Sequence, residues 1–162
     1  HVTSWNKNTS IKFRTDVASM CKLGFDLGLK ELSADELTYC QTAVTNWKRL
    51  QAAIMDGVQY RLVSPYQSNH MAVNYVSRDT DKAVLFAYDI YPRFQEKLMP
   101  VRLQGLNPDK LYKVEEINLM PSVKSALKAN GKIYSGDYLM KVGLDVFGTA
   151  ITQSHVIELT AQ

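Results

Sequence analysis

Sixteen Asp and Glu residues make carboxylates the first chemistry to look for. A pair of them converging on one substrate can divide acid, base and nucleophilic work. Glu115 and Glu116 are adjacent in "LYKVEEINL". Neighbours on a strand point to opposite faces, so these two cannot serve one substrate. Asp79 and Asp81 lie in "SRDTDK" and Asp109 in "NPDK", where turn chemistry accounts for all three. Asp16 and Asp26 flank a short helix followed by an apolar run, "RTDVASMCKLGFDLGL". Salt bridging or capping is the role expected of them.

Other reactive side chains form no motif. His1, His70 and His155 are far apart, and Ser4, Ser19 and Ser154 lack the G-x-S-x-G setting of a nucleophile elbow. There is no P-loop and no GxGxxG. Cys21 and Cys40 make no CxxC pair, and a metal site needs more ligands at tighter spacing. They read as two buried free thiols, with a disulfide between them left open by spacing alone. Tyr88, Tyr91 and Phe94 in "YDIYPRF" are the nearest thing to a sugar-stacking cluster, with Trp5 a further candidate; Trp47 and most tyrosines read as core.

The elements that would position these residues fall into two stretches. Residues 1–58 read as helical and mixed, and residues 59–162 as short strands between turn signals. Thr15–Met20 is expected to be a short helix and Cys21–Leu29 an extended run. "SADE" at Ser33–Glu36 is a capping box, with acidic residues at the positive end of the helix it starts. Leu37, Cys40, Val44, Trp47, Leu50 and Ile54 then draw one apolar stripe, which predicts a helix to about Met55 stopped by Asp56–Gly57. "YRLVS", "MAVNYVS", "KAVLFAYDIY", "LYKVEEINL" and "HVIELT" are β-branched and aromatic runs, and "NGK" suits a tight hairpin turn. The strand spacing predicts an antiparallel sandwich.

Composition sets the outer bounds. A chain of 162 residues holds one domain, or one domain and a remnant, and 46% apolar residues suffice for a core. A net charge of +3 on scattered basic residues is too mild to argue for nucleic acid. No apolar stretch approaches the roughly 20 residues that span a bilayer. A helix and a buried strand at the front, without an initiator Met, suggest the tail end of something larger.

Several segments occur together in a telling order: "HVTS", "IKFRTDVASMCKLGFDLGLKELSADEL", "YRLVSPYQ", "AVLFAY", "LQGLNPDKLYKVEEINL" and "SGDYLMKVGL". The chain closely resembles the C-terminal end of the family-36 glycoside hydrolases, the α-galactosidases. The pattern L-x-G-L-x-P-x-x-x-Y-x-V followed by G-x-x-L-x-x-x-G-L is similar to that family's C-terminal domain. The resemblance implies an α+β chain: a C-terminal antiparallel β-sandwich over residues 59–162, preceded by residues 1–58 as the last helices and strands of a (β/α)8 barrel. It implies retaining hydrolysis of terminal α-galactosides by two aspartates about 5 Å apart. Both lie on upstream barrel strands whose motifs are absent here, so no catalytic residue is carried over. His1 and Trp5 follow the seventh barrel strand and are candidates for the rim of the parent enzyme's sugar pocket. No cofactor and no metal are implied. The expected partner is the remainder of the parent enzyme, with galactoside bound only there, and neither nucleic acid nor membrane. A non-catalytic carbohydrate-binding module is the alternative. Residues 1–30, lacking six neighbouring barrel strands, are expected either to self-associate with a second copy or to refold against the sandwich in a non-barrel shape.

Overall fold

The computed structural model describes residues 2–3 and 9–162. The chain starts with a strand–helix–strand unit: β1 (Val2–Thr3), α1 (Ile11–Ser19) and β2 (Phe25–Asp26). β1 and β2 pair in parallel, Val2 with Phe25 and Thr3 with Asp26. Ser10 caps α1, its hydroxyl accepting from the Phe13 N–H at 3.1 Å. A parallel pair bridged by a helix is a β-α-β connectivity. The expected long strand over Cys21–Leu29 shrinks to two paired residues, followed by a 3₁₀ turn at Leu29–Glu31. Cys21 is exposed, against expectation, while Cys40 is buried; both thiols are free.

Helix α2 (Ala34–Met55) forms where the stripe placed it. Both bonds of the capping box are made: Glu36 N–H donates to Ser33 Oγ at 3.2 Å, and Ser33 N–H donates to Glu36 Oε2 at 2.9 Å. Its buried face differs from the expected one. Leu37 is 37% exposed, Val44 and Trp47 are half-buried, and Tyr39 and Ala43 are fully buried instead. The physical reason is a change of partner along the helix. Its first half packs Tyr39, Cys40 and Ala43 with Val2 and Ile11. Its second half lays Leu50 and Ile54 on the sheet, and Trp47 packs there at the margin, its indole N–H donating to Cys21 O at 2.8 Å.

Six strands then make one antiparallel sheet: β3 (Val58–Val63), β4 (His70–Val76), β5 (Lys82–Asp89), β6 (Leu111–Ile117), β7 (Ile133–Ser135) and β8 (Gln153–Ala161), in the order β3-β4-β5-β8-β6-β7. The alternation of strand side chains gives it two apolar faces. Val73, Tyr75, Val84, Phe86, Tyr88 and Val156 face α2 and α1. Ala72, Leu85, Ala87, Tyr112, Val114, Ile157 and Leu159 face the other way. The sandwich's second layer on that side comes from loops and a six-residue helix, α3 (Gly136–Lys141), closed by a bridge between Val101 and Leu144. The motif residues build this layer: Leu103, Leu106, Tyr112, Leu139 and Leu144 are all buried in it. Gly143 sits at φ +89°, where an added Cβ would stand 2.4 Å from Val101 O, so a side chain there would break the bridge. Asn130–Lys132 is not the tip of a hairpin. It is a turn leading into β7, and the Gly131 N–H donates to Val114 O at 2.7 Å.

Candidate functional site

The most demanding arrangement of charge in the molecule centres on Asp16, which is wholly buried between α1, α2 and the sheet. Its Oδ2 accepts from Lys12 Nζ at 2.6 Å and from Ser154 Oγ at 2.7 Å. Its Oδ1 accepts from Tyr39 OH at 2.9 Å and from Asn118 Nδ2 at 3.1 Å. Helix periodicity puts Lys12 and Asp16 on one face of α1. Tyr39 comes from α2, Ser154 from β8, and Asn118 from just past β6. Lys12 Nζ also reaches Ser154 O at 2.8 Å, and Tyr88 OH of β5 donates to Asp16 O at 2.9 Å. Asn118 Oδ1 in turn accepts from Asn46 Nδ2 of α2 at 2.9 Å.

Burial pushes the phenols of Tyr39 and Tyr88 far above their usual range, and the Asp16 charge pushes the same way. Both stay protonated, as donors must. The four donors on Asp16 come from four different parts of the chain. Such a carboxylate is buried with both oxygens engaged, and it joins these parts of the chain.

A second cluster occupies the opposite face at one end of the sheet. His70 Nδ1 lies 2.7 Å from Asp89 Oδ1, and His155 Nδ1 lies 2.7 Å from Glu116 Oε1. Asp89 Oδ2 accepts from the Gly148 N–H at 2.9 Å, and Ser125 donates to Glu116. Burial raises the Glu116 pKa, but the hydrogen bonds from His155 and Ser125 outweigh it and leave the carboxyl below its usual value.

The other sequence candidates fall into place around these two. Glu116 joins His155, while Glu115 on the opposite face bonds Lys113 at 2.7 Å, so the adjacent pair indeed diverges. Asp79 accepts from Ser77 Oγ at 2.5 Å and from Asp81 N–H at 3.0 Å inside its turn, and these bonds hold its carboxyl below the usual value. Asp81 bonds Lys110 at 2.6 Å, and Asp109 is exposed in a turn where its N–H donates to Asn107 Oδ1 at 3.0 Å. Asp26 is exposed on β2. Ser154 and His155 are sequence neighbours on opposite faces, bonded to different carboxylates, so no Ser–His–Asp relay forms there. Tyr88 is fully buried, which removes it from the suggested stacking cluster; Tyr91 and Phe94 are exposed. His1, Ser4 and Trp5 lie outside the described residues. Among the described residues no group of three or more His, Cys, Asp or Glu could hold a metal ion, and no helix is long and apolar enough to cross a membrane.

Known proteins share this arrangement of sheet and helices. The family model for the glycosyl hydrolase family 36 C-terminal domain matches residues 70–159, β4 through β8. The chain belongs to glycosyl hydrolase family 36. Alpha-galactosidase 1 of Pediococcus pentosaceus is 33% identical over 137 residues, which is 85% of this chain and 17% of that protein. Probable alpha-galactosidase C of Aspergillus oryzae (strain ATCC 42149 / RIB 40) is 32% identical over 153 residues, 94% of this chain and 18% of that protein. Among solved structures, the GH36 alpha-galactosidase AgaB of Geobacillus stearothermophilus superposes on 95% of this chain with a TM-score of 0.80 at 25% identity, using 20% of its own length. This family-36 chain thus spans about a fifth of the length of the curated relatives it matches. Its matches are to C-terminal parts of much larger enzymes.

Proposed function

We propose that this chain is the non-catalytic C-terminal part of a retaining α-galactosidase, in which the β-sandwich supports the last elements of the catalytic barrel. The observation that carries the reading is the saturation of Asp16. Its carboxylate is spent on tying α1 to α2, β8 and the end of β6, so it acts as mortar between a barrel-type unit and a sandwich. On this reading residues 1–58 belong to the barrel and 59–162 to the sandwich.

A second feature supports it. Phe25, Leu29, Leu32, Leu37 and Val44 line an open, largely apolar groove of about 440 Å³ between β2 and α2. A strand pair within a barrel has neighbours on both sides, and the rest of the barrel is the partner that would cover this groove. The galactoside then binds in the remainder of the enzyme. His1 and Trp5 stay candidates for its rim.

The test is a chromogenic α-galactoside offered to highly purified, cooperatively folded chain, alongside a glycan array. No turnover and no glycan retention are expected. Turnover abolished by Asp16→Asn or Asp26→Asn would overturn the reading. Saturable glycan binding lost on replacing Tyr91 and Phe94 by Ala would favour the carbohydrate-binding module instead.

A further inference from the structure

His70 poses a problem that the supporting role does not solve. Its side chain is 5% exposed, and its Nδ1–H donates to Asp89, since a carboxylate only accepts. Among the described residues its Nε2 is a buried atom without a hydrogen-bond partner. A neutral imidazole leaves a lone pair there, facing Glu96 Oε2 at 3.6 Å. Two acceptors then oppose each other, and buried polar atoms left in that state call for an explanation.

The charged groups around this ring come from several elements. Asp89 is on β5. Glu96 lies in the loop that follows β5, with Arg93 beside it. His155 of β8 approaches Asp89 Oδ2 at 3.9 Å and holds Glu116 of β6. The loop before β8 supplies the Phe147 ring, 4.6 Å from the imidazole centroid, and the Gly148 amide on Asp89. Carboxylates therefore outnumber imidazoles three to two in the cluster formed by Glu96, His70, Asp89, His155 and Glu116.

Glu96 is the tether of its loop. It accepts from Arg93 N–H at 2.9 Å and from Asn69 Nδ2 at 3.1 Å, and these bonds keep its carboxyl below the usual range. The loop ahead of β4 is tied to the same place, since Ile90 and Tyr91 N–H both donate to Asn69 O. Exposed Tyr91 and Phe94 ride on this segment.

We propose that His70 is a proton-operated latch for the loop over residues 91–97. Adding a proton to Nε2 turns the opposed acceptors into a donor–acceptor pair, with imidazolium bonded to Asp89 on one side and Glu96 on the other. Glu96 stays ionised throughout, so the proton changes only the ring. The loop is held fast while the ring carries its second proton and loosened when the ring is neutral. His155 touches Asp89 but not Glu96, so its protonation does not close this latch.

The experiment is amide hydrogen exchange of residues 93–97 in the full chain at pH 6 and pH 8, corrected for intrinsic rates. Protection should rise about tenfold from pH 8 to pH 6, the worth of one hydrogen bond between charged groups. His70→Asn is the decisive variant, because its amide can donate to Asp89 but takes up no proton, while Glu96 keeps its bonds from Arg93 and Asn69. It should leave the loop equally protected at both pH values and abolish the step. A wild-type loop whose protection does not rise at pH 6, or a His70→Asn variant that retains the wild-type step, overturns the latch.

Discussion

At the scale of single residues, two carboxylates on opposite faces of one sheet do the organising. Glu116 is nearly enclosed and bonded by His155 and Ser125, and its carboxyl lies below the ordinary value of 4.5. A folded-state value below the unfolded one means stability that is present at neutral pH and lost as the pH falls below about 4.5. Glu116→Gln should therefore cost about 1–3 kcal/mol at pH 7. The gap to wild type should narrow as the pH falls below 4.5, as read by urea unfolding at each pH. A constant gap down to pH 3 would show that the carboxylate's charge contributes nothing. Sequence alone separates Glu115 from Glu116 through the period of two. It does not assemble Asp89, His155, Glu116 and Asp16, because each depends on which strands become neighbours. A signal was there: His70, Asp89 and His155 fall among apolar strand positions, where a polar side chain must find a partner.

Among the elements, α2 shows how far periodicity reaches. The capping box, the stop at Asp56 and the burial of Cys40, Leu50 and Ile54 were all legible from "SADE" and the stripe. The burial of Tyr39 and Ala43 was not, because a stripe assumes one flat partner and this helix meets two. The difference has an energetic consequence. Leu50, 2% exposed on the sheet, should cost about 2–5 kcal/mol when cut to Ala. Leu37, 37% exposed at the open groove, should cost less than about 1 kcal/mol. Thermal unfolding of the two variants separates them, and equal losses would contradict this account of the helix. Among the described residues the β1–β2 pair is shorter than the apolar run "CKLGF" suggests, with two residues of each strand in register.

The whole molecule is built in tiers: the strand–helix–strand unit and the long helix α2 both pack on one face of the sheet, and the motif-bearing loops cover its far face. The family motifs turn out to be packing rules for that last layer, which is why they could be read without any knowledge of a site. The joint between the upper tiers and the sheet is the central claim, and it rests on Asp16. Cutting a buried carboxylate away from four donors costs about 3–5 kcal/mol. If Asp16 is a joint, that loss should be local. Hydrogen exchange of the full chain, wild type against Asp16→Ala, measures it directly. The account predicts that residues 11–26 lose about a hundredfold or more of their protection in the variant, while β4, β5 and the centre of β8 keep theirs. Equal loss across the sheet, or no loss in α1, would contradict it.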